Sequence, residues 1–160
     1  MAEVKTLLVG LFALYLVNSG VCTWDSYIDI LISPSIYDNG VAHVDKASII
    51  GLDASRWTSK SGDKFLELSS TEVNTIATAF KSRDFASFRS NGVHVGGVRY
   101  QFWREEDGKT VYAMKKNHGS IVMMKTNTAV IIAHCIEGNR ISNTARGVAD
   151  VADYLESLNM

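Results

Sequence analysis

The chain has 160 residues, 46% of them hydrophobic and 21% charged, with a formal net charge of −1. That length suits one domain with a sizeable core. The near-neutral charge excludes a global attraction to nucleic acid or to an acidic membrane, so no nucleic-acid partner is expected and any anionic ligand must meet a local patch.

Residues 1–22, MAEVKTLLVGLFALYLVNSGVC, start with a short charged segment, run apolar from Leu7 to Val17 and end in small residues. The apolar run is too short to span a bilayer as a helix, which takes about 20 residues. It has the form of a signal-peptide core, although Glu3 cancels Lys5 in front of it. The segment is either signal-like or an atypical N-terminal extension, and the domain proper is expected over 23–160.

From Thr23, placed as an N-cap, Trp24, Tyr27, Ile28 and Leu31 fall on one face of a short helix. Pro34 stops it, and 33–44 reads as a loop. Short strands are expected over 47–53 and 56–59, joined near Asp53–Ala54, with Phe65 and Leu66 continuing the sheet or its edge. Ser69 and Glu72 fit a capping box, behind which Val73, Ile76, Ala77 and Phe80 make the stripe of a helix of about three turns. From Phe85 the pattern is strand after strand, broken at 91–92, 96–97, 107–108, 117–119 and 126–127, which predicts antiparallel hairpins. The run 129–135, AVIIAHC, is apolar on both faces and belongs in the middle of the sheet. In the closing helix Ala145, Val148, Ala152 and Leu155 form one stripe, with Val151 and Leu158 beside it. A sheet of this kind with helices at both ends of the chain is an α+β sandwich.

The four histidines (43, 94, 118 and 134) and two cysteines (Cys22 and Cys135) make neither a metal-site spacing nor a disulfide framework. No metal or other cofactor is expected. His134 and Cys135 are neighbours in a strand, so their side chains point to opposite faces and cannot form a nucleophile–base pair. The glycines of GVHVGG sit at hairpin corners, not between a strand and a helix, and make no phosphate cradle. Glu105, Glu106 and Asp107 read as solvated residues of a hairpin tip. These readings disfavour an enzyme.

The aromatic residues are more informative. Trp24 and Tyr27 lie on the first helix, Trp57 on an early strand and Tyr154 on the last helix. Taken singly, each reads as a core residue. Packed together, as adjacent terminal helices allow, they make a groove for polyproline II ligands, whose stiff conformation costs little entropy to bind. Trp N–H and Tyr O–H groups add donors for the ligand's carbonyls.

The segments TWDSYIDILI, KASIIGLDASRW, SNGVHVGGVRYQFWREEDG, KTNTAVIIAH and ADYLE, in this order over 23–160, together resemble profilin. The resemblance implies a central antiparallel sheet with the N- and C-terminal helices on one face and shorter helices on the other. It implies a cytoplasmic protein that binds monomeric actin, proline-rich proteins and phosphoinositides. The proline site it implies is Trp24, Tyr27, Trp57 and Tyr154; a final aromatic often completes the site, and here the chain has Met160. The implied actin-facing basic residues are Arg99, Arg104, Lys116, Arg140 and Arg146, and the implied phosphoinositide set is Arg104, Lys115, Lys116 and Lys125. Strand alternation sets Arg99 on the face opposite Tyr100, Phe102 and Arg104, so a single basic face needs a twist or a bulge. The alternative is a secreted profilin-like binding protein without an actin role, and the fate of residues 1–22 separates the two.

Overall fold

The computed structural model describes residues 23–33 and 40–160. The expectations for residues 1–22, for Pro34 and for the rest of 34–39 within the 33–44 loop lie outside the described residues. The first helix, α1 (Trp24–Ile32), buries Tyr27, Ile28 and Leu31. Thr23 occupies the N-cap position in an extended conformation, but its side chain makes no cap hydrogen bond.

Strand β1 (Val44–Gly51) is followed by a reversal at Ala54, which has φ +65°. The second strand expected over 56–59 is absent. Only one bridge, Ile50 to Arg56, forms there, because the chain turns back on β1 through the Gly51 N–H donating to the Ser55 carbonyl at 2.8 Å. Phe65 and Leu66 do run along the outer edge of β1: the Ala47 N–H donates to the Lys64 carbonyl (3.1 Å) and the Leu66 N–H to the Ala47 carbonyl (3.0 Å). This segment covers an edge that would otherwise offer unpaired backbone groups.

Helix α2 (Ser70–Ser82) starts at the predicted capping box. Glu72 is 8% exposed, and its carboxylate accepts the Ser69 N–H and, from across the fold, the Gly97 N–H, both at 2.8 Å. Glu72→Ala leaves both N–H groups without that acceptor. The expected cost is about 2–3 kcal/mol, read as a lowered urea midpoint with unchanged slope.

Residues after Phe85 form a helix, α3 (Ala86–Asn91), where a strand was expected. Asp84 Oδ1 accepts the Ala86 N–H (3.0 Å), and Phe85 and Phe88, three apart, stack at 5.8 Å under α2. Then come β2 (Val93–Val95), β3 (Val98–Glu106), β4 (Thr110–Lys115), β5 (Gly119–Lys125) and β6 (Ala129–Cys135). The β2–β3 and β3–β4 turns pass through left-handed pairs at Gly96–Gly97 and Asp107–Gly108, as tight hairpins require.

The strands make one antiparallel sheet in the order β1-β6-β5-β4-β3-β2, with β6 central and almost wholly buried, as its sequence predicts. On one face lie α1, over β1, and α4 (Ile141–Ser157), over β5 and β6. On the other lie α2 and α3, packed on Val111, Ala113, Ile121 and Ile132. The α+β arrangement with paired terminal helices is thus the observed one. Of the closing stripe, Val148, Val151, Ala152 and Leu155 are buried, but Leu158 caps α4 and is 48% exposed.

Candidate functional site

The reversal after β1 delivers Trp57 to the flank of α1. The Trp57 N–H donates to the Ile49 carbonyl (3.1 Å), and Thr58 Oγ1 accepts the Ile49 N–H (3.1 Å). Ser59 then closes onto α1: its N–H donates to Asp25 Oδ1 (2.8 Å) and its hydroxyl to Asp25 Oδ2 (2.5 Å). With α4 packed beside α1, the four aromatic residues come together. Ring centroids are 4.4 Å apart for Trp57 and Trp24, 5.6 Å for Trp24 and Tyr27, and 6.2 Å for Tyr27 and Tyr154.

The result is a row, Trp57–Trp24–Tyr27–Tyr154. Trp57, Trp24 and Tyr154 are half-buried and keep ring surface open to solvent, whereas Tyr27 is 6% exposed and forms the floor. Met160 packs against the same cluster, with the Asn127 N–H donating to its carbonyl at 3.0 Å. One expectation needs correction. The Trp57 indole N–H is not open to a ligand, because it donates to Ser55 Oγ at 3.0 Å. The Trp24 indole N–H has no such partner among the described residues. Asp53 and Ser55, which hold Trp57, were not singled out from sequence; the Gly-x-Asp-x-Ser-x-Trp spacing is the only trace they leave there.

The second arrangement is the part of the sheet that the terminal helices leave uncovered. On β3, Phe102 pairs with Ala113 and Arg104 with Tyr112, so Trp103 is the extra residue of a bulge. Ala113 belongs to the α2 side and Tyr112 to the α1/α4 side. The bulge therefore moves Arg104 away from the face of Tyr100 and Phe102 and onto that of Arg99, which corrects the simple alternation.

The Arg104 guanidinium lies 4.8 Å from the Trp103 ring centre and 4.7 Å from that of Tyr112, and it pairs with Glu106 at 3.0 Å. The Tyr112 hydroxyl donates to Glu106 as well, at 3.2 Å, and burial and then the Glu106 charge push its pKa up, so it stays a donor. Glu105 accepts the Gly108 N–H (2.9 Å). Glu105 and Glu106 thus shape the hairpin and its basic cluster and are not idle solvated charges. Beside them Trp103 is 50% and Met114 44% exposed, two apolar residues that the sequence reading passed over. Only the irregular register reveals them as surface.

The remaining basic residues are spread around this face. Arg99 precedes the Gln101–Met114 pair on β3 and Lys116 follows it in the turn after β4, at the same end of the hairpin. Arg140 is the N-cap of α4 at the same end of the sheet, and Arg146 sits about 9 Å further along that helix. Lys115 is adjacent to Lys116, but Lys125 lies six residues along β5 from Gly119, the partner of Lys115, or about 20 Å away. Arg104 and Lys115 are on opposite faces of the sheet. His134 and Cys135 also diverge: the His134 ring meets Asp45 and the His118 carbonyl, while Cys135 is buried and its thiol pKa is raised, chiefly by that burial.

The family model described as Profilin matches residues 22–160. The chain belongs to the profilin family. It is 49% identical over 139 residues to the profilin of Clypeaster japonicus, an alignment spanning 86% of this chain and 99% of that one. Identity to the Suberites domuncula profilin is 48% over the same length and the same shares. Among solved structures, Acanthamoeba castellanii profilin II superposes with a TM-score of 0.69 at 30% identity, covering 86% of this chain and all of the other. Mouse profilin IIa, solved with a double repeat from the FH1 domain of mDia1, shares the fold at a TM-score of 0.59 and 16% identity, over 86% of this chain and 99% of that one. The profilin resemblance drawn from scattered segments thus extends over the whole described sheet and both terminal helices.

Proposed function

We propose that this chain is a cytoplasmic regulator of the actin cytoskeleton that binds monomeric actin and proline-rich segments and performs no covalent chemistry. The observation that carries the reading is the row of four aromatic rings between the terminal helices. Two adjacent tryptophans, their rings inclined at 41°, and a tyrosine, all partly open to solvent, suit the ring faces of a polyproline II segment. The mouse relative's FH1 complex supports the same ligand class here.

Actin is assigned to the uncovered β3–β4 face. Arg99, Arg104 and Lys116, with Arg140 and Arg146 from α4, supply the charge that steers an acidic partner. Trp103 and Met114 supply desolvated anchors at its centre. Phosphoinositide headgroups are assigned to the Lys115–Lys116 pair, which offers charge-assisted bonds to phosphate. Lys125 is too distant to join them on one headgroup, and Arg104 faces the other way.

Since β1 and β3 lie on opposite sides of β6 in the sheet, both main ligands can be held at once. The test is a titration of the full chain with monomeric actin, with an oligoproline peptide and with both. Saturable binding of each and a ternary complex are expected. A folded chain that binds neither overturns the reading.

A further inference from the structure

We propose that Asp53 and Ser55 are positioning residues for Trp57, and that Gly51 leaves the room they need, so that Trp57 enters the groove as a stacking wall with its indole N–H already committed. The proposal rests on the reading of the aromatic row as a proline site. The Ser55 N–H and O–H both donate to Asp53 Oδ1, at 3.1 and 2.5 Å. A hydroxyl has a single proton, so giving it to the carboxylate turns the oxygen lone pairs outward. They meet the Trp57 Nε1–H at 3.0 Å, and this bond sets the rotation of the indole against Trp24.

Gly51 lies directly beneath the relay. A Cβ there would stand 2.3 Å from Asp53 Oδ1, 2.5 Å from Ser55 Oγ and 2.8 Å from Trp57 Nε1. The φ of Gly51 is not positive, so its backbone is open to any residue and crowding alone demands the glycine. The Ser55 hydroxyl first, and then its N–H, hold the Asp53 carboxyl below the usual carboxylate range, with Lys81 adding a small favourable charge. The relay is therefore intact above the ordinary carboxylate range and comes apart as pH falls through the lowered value.

The consequence is a division of labour. A ligand proline ring stacks on Trp57 without a hydrogen bond, and the carbonyl bond falls to the Trp24 indole N–H, which has no partner among the described residues.

The test uses the full chain, an oligoproline peptide, and hydrogen exchange of the Trp57 indole N–H, assigned with Trp57→Phe. In wild type and in Ser55→Thr, which keeps the hydroxyl, that proton exchanges slowly. In Ser55→Ala and Gly51→Ala it exchanges about tenfold faster and the oligoproline Kd rises roughly three- to tenfold, the loss expected from one hydrogen bond. Asp53→Ala replaces Gly51→Ala if the latter does not fold. Unchanged exchange in Ser55→Ala, or new protection of the Trp57 indole N–H when peptide saturates wild type, overturns the proposal. If wild type binds no oligoproline, the groove reading fails, and the exchange comparison still decides the relay.

Discussion

Trp24→Ala lowers affinity for oligoproline by at least about 30-fold, the effect of losing a central aromatic anchor. Trp24 is the half-buried ring in the middle of the row, next to Trp57 at 4.4 Å and Tyr27 at 5.6 Å. Its removal leaves Trp57 with no facing wall and takes from the row an indole donor that has no partner among the described residues. Truncation should leave the fold intact, because the buried side of α1 is made by Tyr27, Ile28 and Leu31. Tyr154→Ala acts at the end of the row and is expected to cost less, about tenfold. Intrinsic tryptophan fluorescence during peptide titration measures both, with circular dichroism to show that the domain is folded. Wild-type affinity in Trp24→Ala would place the proline site elsewhere on the molecule.

Much of this groove was legible in the chain. The spacing of Trp24, Tyr27, Ile28 and Leu31 describes a helix, and the terminal stripe of Val148, Ala152 and Leu155 describes its neighbour. Two amphipathic helices on one sheet face must lie close together. The capping box at Ser69 and the doubly apolar β6 were equally plain, since each is a local rule that tertiary packing reinforced.

What was hidden depended on interactions between distant residues or on irregular backbone. FASFRS has no strong preference for helix or strand, and the choice was made by Asp84 capping Ala86 and by the burial of Phe85 and Phe88 under α2. The expected strand over 56–59 failed because Ala54 takes a left-handed conformation, a choice no residue type announces when alanine makes it. The bulge at Trp103 changes the facing of everything after it. Period-two reasoning cannot detect a single extra residue, so Arg104 was placed on the wrong side of the sheet. The basic residues themselves were visible; their common face was not.

That face carries the second large effect. Arg104→Glu is expected to weaken the binding of monomeric actin by about 100-fold, within the range for removing one partner of a close interfacial charge pair. Arg104 stands over Trp103 and Tyr112 and pairs with Glu106, so a partner's carboxylate meets a cation already desolvated on one side by two rings. Reversal removes that cation, adds a charge like those of Glu105 and Glu106, and repels an acidic surface. The loss should be mainly electrostatic, so the variant's remaining affinity will fall less steeply with salt than wild type's. Trp103→Ala, which removes the exposed apolar anchor and leaves the charge, is expected to lower affinity while retaining the wild-type salt dependence. Stability is nearly unaffected by the reversal, because an exposed pair such as Arg104–Glu106 contributes at most about 1 kcal/mol. Oligoproline binding is the internal control: the aromatic row lies over the β1 side of the sheet, far from β3, and should be unchanged in both variants. An actin affinity that survives Arg104→Glu would show that the uncovered β3–β4 face is not the actin surface, whatever the groove binds. Loss of both ligands together would report damage to the fold and not to either site.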